Sequence, residues 1–259
     1  MGLTQDLVVI PVYNERATVR QVIEATLGLT RADVLVVDDG STDGSAELVA
    51  GLVGPRVALL RHPTNLGYGR TLRDGFRVAL ERGASYVVTI DADTQHEPAW
   101  IPRFLEKIRA TGVDVLSGSR YLDPALRGRE PIPPERLAIN REVTGWINAR
   151  TGLALTDAFC GFKAYRVAAL AGLDLTEDGY AFPLEFWAEA WRVGLTVLEE
   201  PVPPVYSPTF ERRFPGPLDD PEVRLAYYRE VWERSIRKAE RLGRKLPPAP
   251  PLGREAACP

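Results

Sequence analysis

The chain has 259 residues, of which 45% are hydrophobic, so it can bury the core of one large α/β domain or two small ones. Its formal net charge of −3 argues against bare nucleic acid as the main partner, since that binding depends on Lys and Arg neutralising phosphates. The two cysteines, Cys160 and Cys258, indicate no disulfide framework, and no apolar run approaches the ~20 residues of a membrane span. We therefore expect a cytoplasmic protein, with any membrane contact peripheral and on the inner face.

Strand and helix patterns alternate along the first 117 residues. Short apolar runs typical of buried strands occur at 7–12, 34–37, 57–60, 86–90 and 113–117. Apolar residues at helical spacing lie between these runs. This alternation predicts an α/β fold with a doubly wound, mostly parallel sheet flanked by helices. Ligands of such sheets bind beyond the carboxyl ends of the strands.

Polar and acidic residues follow three of these strands. They are Tyr13-Asn14-Glu15, Asp38-Asp39-Gly40-Ser41 and Asp91-Ala92-Asp93. Because the carboxyl ends of parallel strands meet at one edge of a sheet, we expect these side chains to share a crevice. Acids that face a phosphate ligand would repel it unless a cation lay between them, which indicates a divalent metal.

The stretch from Tyr86 to Pro98 carries the strongest metal signal. In an extended backbone residues two apart share a face, so Asp91, Asp93 and Gln95 are expected to project together from the strand end. Two carboxylates and an amide oxygen suit Mg²⁺ or Mn²⁺. Taken alone, Asp-x-Asp is more often a pair of solvated loop acids, but the preceding strand and the other motifs favour a metal site. Pro98 is then expected to open a helix.

Two loops carry glycine-rich or basic signals. Glycines in segment 65–70 let backbone N–H groups approach a ligand, with an ordinary turn as the alternative. Beyond Gly118 the alternation ends in an Arg- and Pro-rich segment up to Pro134, long enough for a functional lid or a mobile stretch. Its arginines, and those that follow, could bind a phosphate or simply be solvated: Arg120, Arg127, Arg129, Arg136 and Arg141.

The second half shows helical patterns at 137–150 and 183–193 and a strand pattern at 195–198. Asp157 lies among apolar and aromatic residues, where a carboxylate is costly to bury, so we expect it to be paired or functional. The aromatic residues around Glu185 favour core packing over a sugar platform.

A further helical pattern occupies residues 222–245, with apolar residues and arginines interleaved. This helix either docks on the domain or lies on an anionic membrane as a peripheral contact, and its acids weaken the second interpretation.

Six ordered motifs together resemble those of the inverting family 2 glycosyltransferases. They are Pro11-Val12-Tyr13-Asn14-Glu15, Val37 to Ser45, Asn65-Leu66-Gly67, Asp91-Ala92-Asp93-Thr94-Gln95-His96, Gly118-Ser119-Arg120-Tyr121 and Asp157 to Arg166. The Asp-Ala-Asp-x-Gln-His form and Gly-Ser-Arg-Tyr look most like the dolichol-phosphate or polyprenyl-phosphate mannosyltransferase branch. The resemblance spans roughly residues 5–205.

The resemblance implies a GT-A fold with a small antiparallel element in its second half, a GDP- or UDP-linked sugar as donor, and Mg²⁺ or Mn²⁺. It implies that the nucleotide sugar is held by Pro11, Tyr13, Glu15, Asp38, Asp39 and Asp91, and the metal by Asp93 and Gln95. The acceptor phosphate would meet Arg120, Arg136 and Arg213, with Arg127, Arg129 and Arg141 as alternatives to Arg136 and Arg212 as an alternative to Arg213. The catalytic residues would be Asp93, Asp157 and Arg120.

The implied reaction is inverting transfer of mannose or glucose to a polyprenyl or dolichyl phosphate. A soluble or glycolipid hydroxyl is the alternative acceptor, and Asp157 or Glu185 would then take its proton. The Gly-Lys-Ser-Lys-like stretch usual in the lipid-phosphate branch is replaced by Glu211 to Asp220, which keeps that alternative open. A non-catalytic nucleotide-sugar-binding protein, a nucleotidyltransferase and a receiver-like signalling domain fit the motifs less well.

The expected organisation has four parts. Residues 1–118 form a nucleotide-sugar-binding half, and residues 119–205 form the acceptor-binding half of the same domain. A C-terminal extension with the amphipathic helix follows at 206–246, and a Pro-rich tail at 247–259 is expected to be disordered. The oligomeric state stays open.

Overall fold

The computed structural model describes residues 6–126, 132–203 and 216–244. In these ranges the strands are β1 (Leu7–Val12), β2 (Asp33–Asp38), β3 (Val57–Arg61), β4 (Tyr86–Thr89), β5 (Val115–Ser119), β6 (Lys163–Arg166) and β7 (Val197–Pro201). The helices are α1 (Val19–Leu29), α2 (Ser45–Ala50), α3 (Tyr68–Glu81), α4 (Ile101–Thr111), α5 (Pro134–Thr151), α6 (Val167–Leu170), α7 (Phe182–Val193) and α8 (Pro221–Leu242). Short 3₁₀ turns lie at Pro98–Trp100, Pro124–Leu126 and Gly216–Asp219.

One sheet contains all of these strands in the order β3-β2-β1-β4-β6-β5-β7. β1 pairs in parallel with β2 and β4, β2 with β3, and β5 with β7. β6 runs antiparallel to both of its neighbours, β4 and β5. The predicted doubly wound, mostly parallel sheet with a small antiparallel element in the second half is therefore confirmed. The carboxyl ends of β1, β2 and β4 lie at one edge, where the motif residues follow them.

Helices cover both faces of the sheet, which explains why its strands are continuously apolar. In β1, Leu7 and Val9 pack in one core cluster with residues of α3, α5, α7 and α8. Val8 and Ile10 pack in a second cluster with residues of α1 and α4. Trp187 of α7 is fully buried in the first cluster, so the aromatic residues of this helix are core, as predicted.

Strands β5 and β7 lie two or three residues later than the 113–117 and 195–198 predicted. The prediction for β7 ended before its two glutamates, because acids are unusual in a buried strand. The structure places Glu200 inside β7 at 1% exposure and pairs it with Arg103 and Lys107. A carboxylate with two cationic partners can be buried in a strand that its sequence alone does not indicate.

The predicted metal-binding stretch is a turn, not a continued strand. β4 ends at Thr89, and Thr94 has a positive φ of 61°, so the strand alternation expected for Asp91, Asp93 and Gln95 is wrong. The Oδ1 of Asp93 accepts a hydrogen bond from the Gln95 N–H at 3.0 Å. This local bond, and not the pleat of a strand, sets the direction of the side chains.

Helix α8 packs against α7 and α5, so the docked alternative for this helix is the one observed. Its apolar face, which includes Tyr228, Trp232 and Ala239, is buried in the first core cluster. The carboxylate of Asp220 caps the helix by accepting a hydrogen bond from the Glu222 N–H at 2.8 Å. Every helix in the part of the chain that the structure describes is too short or too polar to cross a lipid bilayer.

Some predicted residues lie outside the described ranges. They are Arg127, Arg129, Arg212, Arg213 and the segment 247–259. The division of the domain at residue 118 stays a prediction, since one sheet runs through both halves.

Candidate functional site

A cleft opens at the carboxyl edge of the sheet. Its lining comes from the β4 end, α3, α5, α7 and α8, and from the loops beside them. The lining residues are Tyr68, Asp91, Gln95, Arg120, Tyr121, Arg136, Ile139, Asn140, Phe159, Tyr180, Pro183, Arg224 and Tyr228. Acids, arginines and aromatic residues from distant parts of the chain therefore meet in one site.

The loops after β1 and β2 are hydrogen-bonded to each other beside this cleft. The Asn14 N–H donates to Ser41 Oγ at 2.9 Å, and the Glu15 N–H donates to Ser45 Oγ at 3.0 Å. Asn14 has a positive φ of 58°, so the chain turns sharply after β1. Tyr13 is 42% exposed at this turn and can contact a ligand.

The carboxylate of Asp39 organises the loop after β3. Its Oδ1 lies 2.7 Å from His62 Nδ1 and accepts a hydrogen bond from the Leu66 N–H at 2.8 Å. Its Oδ2 accepts from the Gly67 N–H, also at 2.8 Å. A carboxylate offers about four acceptor positions, so three protein contacts leave about one for a ligand.

Five of the six predicted nucleotide-binding residues are at the sheet edge next to the cleft and not in its lining. They are Pro11, Tyr13, Glu15, Asp38 and Asp39. Asp38 is fully buried, and its Oδ2 accepts a hydrogen bond from the Ser41 N–H at 3.2 Å. Asp38 therefore supports the turn after β2 from inside the protein.

Asp91, the sixth of these residues, lines the cleft. The Tyr68 hydroxyl donates a hydrogen bond to Asp91 Oδ1 at 3.2 Å, and the Tyr68 ring stacks on Tyr180. Gly161 lies so close on the other side that a Cβ at this position would be 2.4 Å from Asp91 Oδ2. Thr89 Oγ1 donates to the Gly161 carbonyl at 2.7 Å and fixes that approach.

Asp91, Asp93 and Gln95 bring oxygen ligands to the charged part of the cleft. Asp91 and Gln95 line it, and Asp93 is 4% exposed in the turn between them. The side-chain amide nitrogen of Gln95 is buried without a hydrogen-bond partner in the described residues. In the same residues no group of three His, Cys, Asp or Glu side chains could hold a metal. The donor set fits a hard cation that takes its remaining oxygens from the phosphates of a ligand.

Arg120 and Asp157 form a buried two-point ion pair at the opposite wall. Arg120 Nε and Nη2 donate to the two carboxylate oxygens of Asp157 at 2.7 and 2.9 Å. Burial acts to raise the pKa of Asp157, but the charge and hydrogen bonds of Arg120 outweigh it and hold this pKa below its usual value. Asp157 is thus paired, as predicted, and its charge fixes the guanidinium of Arg120.

A second layer holds Asp157 in place. Glu199 of β7 accepts hydrogen bonds from the Asp157 N–H at 3.1 Å and from Thr156 Oγ1 at 2.6 Å. Thr156 Oγ1 also lies 2.6 Å from Ser119 Oγ, beside Arg120. Burial raises the pKa of Glu199, and the hydrogen bonds from Thr156 act in the opposite direction.

Two further arginines of the cleft come from α5 and α8. Arg136 lies in the first turn of α5, Arg224 lies in the first turn of α8, and both line the cleft. Arg224 donates to the Leu218 carbonyl at 2.8 Å and pairs with Glu135, the residue before Arg136. The starts of the two helices are thereby joined, and they form one arginine-bearing wall with Arg120.

The loop before α7 connects α8 with α3. Glu177 in this loop accepts hydrogen bonds from Tyr227 Oη at 2.6 Å and from Arg234 Nη2 at 2.5 Å, both on α8. On its other side, a Cβ at Gly69 of α3 would lie 2.4 Å from the Glu177 carbonyl oxygen. Only a glycine allows α3 to approach this loop so closely.

Two residues considered from the sequence lie away from the cleft. Glu185 accepts hydrogen bonds from the Thr176 and Glu177 N–H groups, both at 2.7 Å, and pairs with Lys238 at 3.2 Å. It therefore holds the loop before α7 and does not line the cleft. Arg141 is exposed on α5 and is also absent from the lining.

Sequence reasoning assigned no site role to Arg224, which lines the cleft. Arg224 precedes Tyr228 and Trp232 by four and eight residues, so it lies on the apolar face of α8. A charge on an otherwise apolar face is a signal that could have indicated this residue.

Comparison with known proteins agrees with this geometry. The model of the family described as glycosyl transferase family 2 matches residues 7–173. The undecaprenyl-phosphate mannosyltransferase of Micrococcus luteus is 33% identical over 211 residues, covering 76% of this chain and 82% of that protein. The polyprenol monophosphomannose synthase of Mycolicibacterium smegmatis is 33% identical over 203 residues, covering 76% of each.

A solved structure is similar over most of the chain. It is glucosyl-3-phosphoglycerate synthase from Mycobacterium tuberculosis in complex with Mn²⁺, uridine diphosphate and glucosyl-3-phosphoglycerate. The TM-score is 0.60 at 22% identity, with coverage of 95% of this chain and 81% of that one. At this identity the likeness shows the fold alone.

Proposed function

This chain belongs to glycosyltransferase family 2, and from that premise we propose that it transfers mannose or glucose from a nucleotide sugar to a polyprenyl phosphate, with inversion at the anomeric carbon. Its fold is GT-A, and its family makes it a nucleotide-sugar-dependent glycosyltransferase. The names of the two similar proteins support the choice of lipid phosphate as acceptor.

The amphipathic lining of the cleft is the observation that carries this proposal. Its charged part holds Asp91, Gln95, Arg120, Arg136 and Arg224. Its apolar part holds Tyr121, Ile139, Phe159, Pro183 and Tyr228. An acceptor with an anionic head and a hydrocarbon tail matches both parts at once.

We assign the donor to the sheet edge. Tyr13 and Glu15 lie after β1 beside the exposed turn, and Asp39 keeps about one acceptor position for a base N–H. Asp91, held by the Tyr68 hydroxyl, is placed for the ribose or diphosphate. Both GDP- and UDP-linked sugars fit this assignment, and we propose 1–118 as the donor half on the same basis.

We propose that Asp93 and Gln95, with Asp91 beside them, hold Mg²⁺ or Mn²⁺. When bound, the cation supplies Lewis-acid stabilisation of the charge that develops on the departing diphosphate. The protein holds these oxygen ligands in place before the cation binds. The hydrogen bond of 3.0 Å from the Gln95 N–H to Asp93 Oδ1 fixes the turn that carries them.

The acceptor phosphate is already anionic, so it needs positioning more than deprotonation. One phosphate oxygen forms a bond to C1 of the sugar while the bond from C1 to the diphosphate breaks. The electron pair of the broken bond leaves with the nucleoside diphosphate, and no proton has to move. Arg120, Arg136 and Arg224 would orient the phosphate, and Asp157 keeps the Arg120 guanidinium fixed.

A hydroxyl acceptor is less compatible with the site, because it needs a general base. Asp157 has a lowered pKa and both of its oxygens bind Arg120, so it is a weak base. Glu185 lies outside the cleft lining. Neither residue predicted for this role therefore supports the alternative.

The predicted membrane contact through residues 222–245 belongs to the same proposal. The apolar face of α8 is buried in the protein, so such a contact would use the charged outer face of the helix. On that face Arg229 pairs with Glu142 and Arg237 with Glu233, which reduces its net positive charge.

A product assay tests the proposed function. The protein is incubated with Mn²⁺ and a polyprenyl phosphate in detergent, with radiolabelled GDP-mannose, GDP-glucose or UDP-glucose in turn. We expect one donor to give a lipid-linked sugar that extracts into organic solvent, and EDTA to prevent its formation. Turnover with 3-phosphoglycerate or a simple glycoside, with no organic-phase product from any donor, would instead indicate a soluble acceptor.

A further inference from the structure

Residues 119–122, called here the Arg120 loop, lie at the end of β5 and carry part of the arginine-bearing wall. Arg120 and Tyr121 of this loop line the cleft, and Arg120 Cζ lies 5.5 Å from the centre of the Tyr121 ring. The loop is anchored by Ser119, which is fully buried. Ser119 Oγ accepts hydrogen bonds from the Tyr121 N–H at 3.2 Å and from the Leu122 N–H at 3.1 Å. Ser119 therefore fixes the backbone that presents Arg120 to the cleft.

A line of hydrogen bonds connects this anchor with Glu199 of β7. Ser119 Oγ lies 2.6 Å from Thr156 Oγ1, and Thr156 Oγ1 donates to Glu199 Oε2, also at 2.6 Å. Glu199 Oε1 accepts from the Thr156 N–H at 3.0 Å and from the Asp157 N–H at 3.1 Å. Glu199 is therefore linked to the anchor of the Arg120 loop through Thr156, and to Asp157 directly.

The charge of Glu199 sets the direction of these hydrogen bonds. An ionised carboxylate can only accept, so the Thr156 hydroxyl gives its one proton to Glu199. The Ser119 hydroxyl must then donate to Thr156 Oγ1, since a contact of 2.6 Å between two hydroxyl oxygens needs a proton between them. Both lone pairs of Ser119 Oγ are left for the two N–H groups of the Arg120 loop. In this direction the loop keeps both of its anchoring bonds.

A neutral Glu199 reverses the direction. Its added proton lies on Oε2, because Oε1 faces two N–H groups, whereas Oε2 faces the hydroxyl oxygen of Thr156. From Oε2 the proton is donated to Thr156 Oγ1, and the Thr156 hydroxyl turns to Ser119. Ser119 Oγ accepts at most two hydrogen bonds, so one N–H of the Arg120 loop loses its acceptor. The loop is then less firmly held.

We propose that Glu199 is a positioning residue for the acceptor, and that its negative charge holds the Arg120 loop in the conformation that binds the acceptor phosphate. The inference rests on the proposed function, since it needs a phosphate at the arginine-bearing wall. Glu199 is absent from the lining of the cleft and acts through Thr156 and Ser119. The affinity for the acceptor should therefore depend on the ionisation of a residue that the acceptor does not touch.

The surroundings of Glu199 make its charge costly to keep. Burial raises the pKa of Glu199, the charge of Asp157 acts in the same direction, and the hydrogen bonds from Thr156 oppose both. Asp157 is itself paired with Arg120, and Ser117, opposite Glu199 on β5, is uncharged. A glutamine could accept the two N–H groups through its amide oxygen without this cost. A purely structural role, in which Glu199 only holds residues 156–157, therefore does not account for a carboxylate at this position.

The test measures how tightly the protein binds an acceptor phosphate as the pH changes. Isothermal titration calorimetry gives the Kd of farnesyl phosphate, a short and soluble polyprenyl phosphate, for the wild type and for Glu199→Gln from about pH 8 to about pH 5. At the alkaline end the Kd should be about tenfold higher for Glu199→Gln, because its amide N–H donates to Thr156 and so imitates the protonated acid. The Kd of GDP and of UDP should stay within about twofold, since the sheet edge is unchanged.

Acidification should bring the two proteins together. The raised pKa of Glu199 lets the wild type take up this proton at a higher pH than an ordinary glutamate, whereas the lowered pKa of Asp157 keeps that residue ionised. The ratio of the two Kd values should therefore fall toward one as the pH decreases. Protonation of the farnesyl phosphate itself is common to both titrations and cancels in this ratio.

Two further variants separate the line of hydrogen bonds from general stability. Thr156→Val breaks the line and keeps the shape of the side chain, so adding Glu199→Gln to it should not raise the Kd further. Glu200→Gln is the matched control, because Glu200 is the next residue on β7, points to the opposite face of the sheet and pairs with Arg103 and Lys107. This control should lower Tm more than Glu199→Gln does, without changing the Kd of farnesyl phosphate.

The outcomes distinguish the inference from the function on which it rests. Equal Kd values for the wild type and Glu199→Gln, or a ratio that stays constant on acidification, would overturn the role of the charge and leave the glycosyltransferase intact. A further rise of the Kd in the double variant would also overturn it, and so would an equal loss of affinity for farnesyl phosphate and nucleotide with a lower Tm. A wild type that binds no farnesyl phosphate and gives no lipid-linked sugar in the product assay would reject the proposed function itself.

Discussion

The two sides of the cleft are built in different ways. The side that we propose for the donor is the edge of the sheet, where loops that follow neighbouring strands are hydrogen-bonded to each other, as Asn14 is to Ser41 at 2.9 Å. The side that we propose for the acceptor is a wall of arginines whose partners are distant in the chain, such as Asp157 for Arg120 and Glu135 for Arg224. The order of the strands in the sheet brings the residues of the first side together, whereas the positions of the arginines depend on specific ion pairs.

This difference assigns opposite roles to the acids of the two sides. On the donor side Asp91 lines the cleft and is available to the ligand, whereas Asp38 and Asp39 also hold the loops after β2 and β3. On the acceptor side the acids serve the arginines, because an unpaired buried guanidinium is costly. Removing Asp91 or Asp93 should therefore damage turnover and spare the fold, and removing an acceptor-side acid should damage the fold first.

The largest effect is expected from Asp93→Asn. The amide keeps an oxygen to accept the Gln95 N–H, but it lacks the charge needed to hold a cation, so kcat should fall by about a thousandfold with little change in Tm. Asp123→Asn is a matched control, because Asp123 accepts from the N–H two residues later in the same way, at 2.8 Å from Ala125. Full activity of Asp93→Asn in the product assay would remove Asp93 from the mechanism.

A smaller loss is expected when the packing behind Asp91 is altered. Gly161→Ala places a Cβ where the Asp91 carboxylate now lies, and a displacement of about 1 Å at a reacting centre can cost ~100-fold in rate. Gly145→Ala in α5 is the control, because its Cβ would meet nothing within 4 Å and the helix should become slightly more stable. Equal kcat/KM in the two variants would show that the Gly161 contact does not position Asp91.

Asp157→Asn tests the acceptor side through stability. Loss of the carboxylate leaves Arg120 buried without its charged partner, and we expect a cost of about 3 kcal/mol in the free energy of unfolding near pH 7. Because the pKa of Asp157 is lowered in the folded state, its stabilisation is present above the unfolded value of about 4 and is lost as the pH falls through the folded value.

Denaturant unfolding of wild type and Asp157→Asn across the pH range measures this difference directly. The gap between the two proteins should be constant from neutral pH down to about pH 5 and should close in more acidic solution. A gap that widens on acidification would mean that Asp157 is protonated in the native state and does not hold Arg120 as an ion.

The smallest effect is expected from Arg224→Met, which removes one guanidinium of the acceptor wall. The KM for polyprenyl phosphate should rise about tenfold, since a charged hydrogen bond to the phosphate is lost, and the KM for the donor should not change. Arg237→Met is the control, because this arginine is exposed on α8 and pairs with Glu233, one turn away on the same helix. A rise in the donor KM alone would contradict the assignment of the wall to the acceptor.

The donor side could be predicted from the sequence because it follows from topology. Alternating strands and helices fix a parallel sheet, and a parallel sheet brings the residues after β1, β2 and β4 to one edge. The turn at Asp91–Gln95 was missed, since a positive φ at Thr94 is not visible in its residue type. Its direction depends on a side-chain hydrogen bond that only the folded chain shows.

The acceptor side was less predictable because its contacts cross long stretches of chain. The sequence indicated that Asp157 would be paired or functional, but it did not identify Arg120 as the partner. It assigned no site role to Arg224, whose ion pair with Glu135 spans 89 residues. Such pairs depend on how helices pack, which local patterns do not specify.

Helix α8 comes last in the described chain, and this order has a consequence for how the protein is made. During synthesis the sheet can assemble once β7 has left the ribosome, but Arg224 and Tyr228 arrive only with the residues that follow. The strands of the sheet are thus synthesised before the cleft is complete. A product released before Pro221 would lack Arg224 and Tyr228 of the cleft, together with the apolar face of α8 that packs in the first core cluster.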